Sequence, residues 1–324
     1  MTRPRSSPGS GRSFDVRAFA KVNLTLRVLG TRPDGYHELR TVFQSVALSD
    51  RLRFEVAAGP FRISSNEPGC PTDESNLVWQ AAARMWRAAG RRGRPAGIRV
   101  HIHKRIPPRA GLGGGSSNAA AALRALAAVW CPRLEPARLV VMAAGLGADV
   151  PYFLTGGTAL GVERGDRVFP LADHPRAWVV IVRPEVGVST ADAYRWLDDD
   201  RARRLRSRSK AVHTVPVLRA GAGPYGEGGN DFQGVVERRH PVVKRLVAAL
   251  RSGGAQWSAM SGSGSAVFGV FGQRQDAERV VERLGGQQGV TFLTRTVSAR
   301  EYTGRSALRD LPGTEPIGYT HRLR

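Results

Sequence analysis

The chain has 324 residues, 41% of them hydrophobic and 23% charged; the length suits two domains, and the balance excludes the low-hydrophobicity regime of disordered chains. Cys70 and Cys131, 61 positions apart with no CxxC, exclude a disulfide scaffold and a cysteine zinc site and fit a reducing cytoplasm, and no apolar run, residues 177–182 among them, approaches the roughly 20 residues of a membrane helix. Lys and Arg number 49 against 27 Asp and Glu, a net charge of +22, which admits nucleic acid, a membrane surface or phosphorylated small molecules as partners.

In chain order, residues 1–13 are basic but lead into no apolar segment, so they read as a disordered leader and not a secretory signal. Over 14–28, Val22, Leu24, Leu26 and Val28 alternate with Lys21, Asn23, Thr25 and Arg27, the period of a strand with one buried face. Asp34-Gly35 supplies a turn, and 42–56 continues as extended structure to Gly59-Pro60. Apolar positions at helical spacing over 75–89 predict a helix, with Asp73 or Ser75 as its cap and Gly90 as its stop. Residues 97–106 alternate again. A second helix is expected over 116–130, closed by Pro132, and a third over 136–144, with proline in its first turn where a missing N–H is harmless. Glycine pairs within 152–170 predict a hairpin.

The chain pauses at 172–176, the expected domain boundary, before a buried strand over 178–182. A short helix over 191–196 precedes a basic low-complexity stretch, 198–229, which contains the arginine run RARRLRSR. A helix over 241–251, strands on either side of 262–265, a helix over 276–284 and a strand over 290–297 follow, and 300–324 reads as a tail. Helices and strands alternate without a regular βαβ cadence, so the fold class is α+β.

The strongest local signal is AGLGGGSSNAA, residues 110–120, between an expected strand and an expected helix. Its glycines allow positive φ and let several N–H groups converge, and Ser116 and Ser117 stand where an N-cap is needed, ahead of a positive dipole end. That combination binds phosphate. It lacks the GK[ST] of a P-loop and the third glycine of a dinucleotide fingerprint, and the patterned elements on both sides make a flexible linker a poor description. A second cluster, MSGSGS at 260–265, is by itself a tight turn as readily as a ligand loop. Asp149, in GADVPYF, is either capped by backbone N–H groups or held for chemistry. Lys21 and Asn23 share one strand face, where they meet an anion or continue a solvated surface with Thr25 and Arg27. The histidines show no metal spacing, and no residue is assigned to a metal.

Together, Lys21-Val-Asn23-Leu, Asp34-Gly-Tyr36-His37-Glu38, the loop 107–120, Gly147-Ala-Asp149-Val-Pro151 and the cluster 260–265 resemble the GHMP small-molecule kinases. AKVNL with DGYHEL narrows the resemblance to the branch acting on a cytidine diphosphate-linked methylerythritol. It implies a two-domain fold: an N-terminal domain over 14–174 like domain 2 of ribosomal protein S5, and a ferredoxin-like C-terminal domain over 175–299. It implies transfer of the ATP γ-phosphoryl to the C2 hydroxyl of the methylerythritol unit, with Mg²⁺ accompanying ATP and its ligands unassigned. The implied catalytic residues are Asp149 as base and Lys21 beside it. The implied ATP-binding residues are Pro107, Ala110, Gly111, Leu112, Gly113, Gly114, Gly115, Ser116 and Ser117, with Asn76 and Lys104. For the other substrate, Asn23 touches it, His37 reads the cytosine edge, Tyr36 stacks on the base, and Thr190 and Tyr194 fall where the family supplies a second aromatic.

Arg109 departs from this pattern: small or uncharged residues are frequent there, and the side chain either reaches a phosphate or points to solvent. Two other readings stay open. Another GHMP kinase acting on mevalonate, homoserine or a sugar would keep the fold, with Tyr36-His37 the feature against it. A basic nucleic-acid-binding protein would use the arginine runs, but aromatics are only 7% and do not interleave with them as in stacking platforms.

Overall fold

The architecture was read from a computed structural model, which describes residues 13–207, 229–285 and 288–306. The expected leader therefore lies outside the described residues except for Ser13, where the first strand opens. So do the greater part of the stretch 198–229 and residues 307–324 of the expected tail.

Two sheets organise the chain. The first holds β1 (Ser13–Thr31), β2 (His37–Pro60), β3 (Arg62–Ser65), β4 (Ala96–His103), β5 (Thr158–Glu163) and β6 (Arg167–Pro170), in the order β3-β4-β2-β5-β6 with β1 paired to β2. Only β3 and β4 run parallel. The second sheet, β10-β7-β9-β8, is antiparallel: β7 (Trp178–Arg183), β8 (Trp257–Met260), β9 (Val267–Phe271) and β10 (Val290–Arg295). Helices α1 (Leu77–Ala88), α2 (Gly114–Trp130), α3 (Pro136–Ala144) and α4 (Tyr152–Thr155) belong to the first half of the chain. Helices α5 (Thr190–Ser207), α6 (Gln233–Arg239), α7 (Pro241–Ser252), α8 (Arg274–Leu284) and α9 (Ala299–Arg305) belong to the second. The α+β expectation holds, and no described helix is long and apolar enough to cross a membrane.

The long strand β1 ties three hydrophobic clusters together. Phe14, Val16, Ala18 and Phe19 enter the core under α1 and α2. Ala20, Val22 and Leu24 pack with Val179, Ile181, Ala259 and Phe268 of the second sheet. Leu26 and Val28 join the cluster built by α6, α7 and α8. This corrects the expectation of one buried face, because Lys21 and Asn23 on the polar face are each 2% exposed. Tertiary cover on both sides overrides a pattern that in an isolated strand marks solvent.

Four further corrections have local causes. Helix α2 begins at Gly114, inside the glycine run, with Gly113 as a left-handed N-cap, so Ser116 and Ser117 are helical residues and not caps. Helix α1 is capped by Asn76, whose side chain accepts from Val78 N–H at 2.9 Å, while Asp73 instead closes a turn with Ser75. Helix α5 runs to Ser207, well past the expected 191–196 and into the arginine run, because tertiary anchors hold it: Arg201 donates to the Val28 carbonyl at 2.6 Å and Asp200 pairs with Arg238 at 2.5 Å. The tail begins later than residue 300, since α9 buries Tyr302 against the first core, where its hydroxyl donates to Phe153 O at 2.7 Å.

Candidate active site

The two glycine clusters form one structure. Gly111 sits at φ +75°, and a Cβ there would lie 2.1 Å from Ser261 O, so only glycine lets the second cluster approach this closely. Ser261 Oγ donates to Gly111 O at 2.9 Å and accepts from Asn23 N–H at 3.4 Å. Asn230 clamps the far side of the second cluster, donating from Nδ2 to Met260 O at 2.8 Å and to Gly262 O at 2.6 Å. The start of α2 has no side-chain cap, leaving its first N–H groups for an anion. Ser117 Oγ, nearby, is buried with no hydrogen-bond partner among the described residues, an unusual state for a buried hydroxyl.

Two cavities flank this junction. The smaller, about 360 Å³, is bordered by Asn76, Lys104, Pro107 and the run Ala110–Ser116. The larger, about 770 Å³, is bordered by Lys21, Asn23, Asp149, Thr190 and Tyr194. Both are of a size that holds a small organic ligand. Asn76 and Lys104 border the first cavity with their polar groups already engaged. The Asn76 amide donates to Pro71 O at 2.5 Å and caps α1, and the Lys104 ammonium pairs with Asp50 and donates to Asn118 Oδ1 at 3.0 Å.

In the larger cavity Lys21 Nζ lies 3.4 Å from Asp149 Oδ2 and donates to Asn23 Oδ1 at 2.5 Å. Asn23 Nδ2 in turn donates to Thr41 Oγ1 at 2.7 Å, and Thr41 Oγ1 to Thr25 O at 2.7 Å. This chain fixes the Lys21 head group from behind. The Asp149 carboxylate remains 34% exposed, so it is both paired and reachable. Such a carboxylate can take a proton from a hydroxyl while the adjacent ammonium offsets the charge that develops on the oxygen.

The aromatic end of the cavity is arranged differently from expectation. The His37 ring stacks on Tyr194, centroids 4.4 Å apart, and its Nε2 lies 3.0 Å from Asp198 Oδ1. Tyr36 stands apart, 56% exposed, with the Arg164 guanidinium 5.0 Å from its ring centroid. Burial, reinforced by the Asp149 and Asp198 charges, pushes the Tyr194 phenol up to about 12, so it stays a neutral donor at physiological pH. Thr190 Oγ1 contacts Ser263 Oγ at 3.1 Å, joining α5 to the second glycine cluster.

Sequence reasoning missed Thr41, Asp198 and Asn230 as parts of this arrangement, and it named Ser261 only as a member of the cluster 260–265. Each acts across 18 to 238 positions of sequence, and none lies in a motif that names its partner.

The profile of the GHMP kinases N terminal domain matches residues 76–157, and that of the GHMP kinases C terminal domain matches 220–290. A 4-diphosphocytidyl-2-C-methyl-D-erythritol kinase of Moorella thermoacetica is 40% identical over 282 residues, 86% of this chain and 98% of its own. The enzyme of the same name from Solibacter usitatus is 41% identical over 297 residues, covering 90% and 91%. A crystal structure of 4-(cytidine 5'-diphospho)-2C-methyl-D-erythritol kinase superposes with a TM-score of 0.71 at 35% identity, covering 87% of this chain and 98% of that one. With two glycine clusters locked against each other and a reachable Lys21–Asp149 pair beside them, the chain belongs to the 4-diphosphocytidyl-2-C-methyl-D-erythritol kinase family of the GHMP kinases.

Proposed function

We propose that the chain transfers the γ-phosphoryl of ATP to the C2 hydroxyl of 4-diphosphocytidyl-2-C-methyl-D-erythritol, a step of non-mevalonate isoprenoid precursor synthesis. The observation that carries this is the 3.4 Å Lys21–Asp149 pair, facing a cavity beside an uncapped helix N-terminus. Phosphoryl transfer asks of a protein mainly positioning and charge stabilisation, and these elements supply both.

In this reading the ATP phosphates lie along Gly111–Ser117, with Pro107, Ala110 and Leu112 shaping the approach. Asn76 and Lys104, engaged as they are, form cavity wall and hold it in place. Asp149 takes the proton of the acceptor hydroxyl, and Lys21 stabilises the developing alkoxide and orients the carboxylate. Asn23 positions the acceptor. Tyr194 and Thr190 border the acceptor pocket, and His37, pressed on Tyr194, with Tyr36 receives the cytosine.

Mg²⁺ would accompany ATP and neutralise phosphate charge. Among the described residues no group of three or more His, Cys, Asp or Glu could hold a metal ion by itself. The buried, unpartnered Ser117 hydroxyl would supply at most one ligand to an ion that keeps most of its shell from phosphates and water. The two cysteines are free, which supports assignment to the cytoplasm.

The test is ATP consumption with the cytidine diphosphate-linked substrate, measured beside mevalonate, homoserine and galactose. Turnover with the first alone is expected. Turnover with one of the others, and none with the cytidine substrate, would assign the same fold to a different acceptor.

A further inference from the structure

The two cavities share a stretch of wall made of Arg109, Gly111, Gly113 and Ser116. If the donor occupies one cavity and the acceptor the other, the transferred group crosses that wall. Arg109 is its only charged residue. Lys21 borders only the larger cavity, and Lys104 only the smaller, with its ammonium tied to Asp50.

Arg109 is also conformationally exceptional. Its φ is +52°, a left-handed backbone that a non-glycine residue adopts at a cost. The side chain is exposed, and among the described residues no hydrogen bond, ion pair or ring contact engages its guanidinium. A strained position that carries an unengaged cation, at the seam of two cavities, has no explanation within the fold. A bound anion supplies one.

We infer that Arg109 grips the phosphoryl group in transit between the two cavities; the inference rests on the kinase reading above. In that step the acceptor oxygen bonds to Pγ. The bond from Pγ to the Pβ-bridging oxygen breaks, its electron pair leaves on ADP, and the hydroxyl proton passes to Asp149. The planar guanidinium fork donates to the equatorial oxygens of the moving group, where charge is spread in the transition state.

Arg109→Gly removes the fork and relieves the backbone strain together. Its kcat should fall about 10- to 100-fold, the worth of a charge-assisted hydrogen bond or two, while the melting temperature holds or rises. Arg109→Lys keeps the charge and the backbone but not the fork, so its kcat should lie between the two, and it answers the same question if the glycine variant fails to fold. A glycine variant with kcat and KM for ATP within twofold of the parent overturns the inference. So does a raised KM with unchanged kcat, which marks a contact equal in ground and transition states. Asp149→Asn in the same assay separates the two levels. If it is inactive while Arg109→Gly is normal, only Arg109 is misassigned; if neither matters, the site itself is wrong.

Discussion

The protein contains two clusters of the same three residue types, and only one has the features of a reaction centre. Lys21, Asn23 and Asp149 form the first; Lys104, Asn118 and Asp50 form the second. In the second, Asp50 is fully buried and its acceptors are saturated: Oδ1 receives the N–H groups of Arg105 at 2.7 Å and Ile106 at 2.8 Å, and Oδ2 receives Lys104 and the Asn118 amide. In the first, Asp149 has Lys21 on one side and open cavity on the other. The contrast shows that composition does not distinguish a structural ion cluster from a catalytic one. Unfilled hydrogen-bonding capacity at a reachable surface does.

The largest expected effect tests the open cluster. Asp149→Asn keeps the size and loses the base, so kcat should fall by about 10² to 10⁴, roughly 3 to 5 kcal/mol of barrier, with the melting temperature almost unmoved. Single-turnover phosphoryl transfer and thermal unfolding on the same sample check both halves. A stable, active variant would erase the distinction between the clusters.

Asp50→Ala should show the reverse pattern. Removing one partner leaves the Lys104 ammonium buried and two backbone N–H groups unmet, a loss of about 3 to 5 kcal/mol of stability by denaturant unfolding. Protein that remains folded should keep most of its kcat.

The asparagines sharpen the comparison at lower amplitude. Asn118→Ala should cost about 1 to 3 kcal/mol of stability with little change in kcat per folded molecule, whereas Asn23→Ala, which frees the Lys21 head group, should lower kcat more than it lowers stability. Equal stability losses in the two variants would mean that both clusters are structural.

The smallest effect belongs to a third acidic site, nearer the surface. Hydrogen-bonded Arg295, with Arg305 adding to it, pulls the Glu301 carboxyl down to about 2. A depressed carboxyl contributes stability above its ordinary value near 4.3, and that contribution is lost as pH falls from about 5 toward 2. Solvent screening keeps it to about 1 kcal/mol or less. Melting temperatures of Glu301→Gln should therefore fall slightly below the parent at pH 7 and converge on it as the pH is lowered to about 2.

Sequence by itself determined the elements whose signals are local. The proline-started α3 and α7, the hairpin of β5 and β6, and the strand β7 follow from spacing, turn residues and apolar runs within a few positions. The glycine loop was legible for the same reason, since positive φ and a following helix are properties of neighbours. Tertiary structure decided what neighbours do not encode. The basic run of α5 is a helix because Val28, Asp231 and Arg238 anchor it. The polar face of β1 is buried at Lys21 and Asn23 because Thr41, Phe43, Asp149 and the glycine loop at Gly113 close around it. Lys104 and Lys21 could not be told apart by residue type. Their difference lies in whether the facing carboxylate is saturated by local backbone, as Asp50 is, or left open to a cavity, as Asp149 is, and only packing across distant segments sets that.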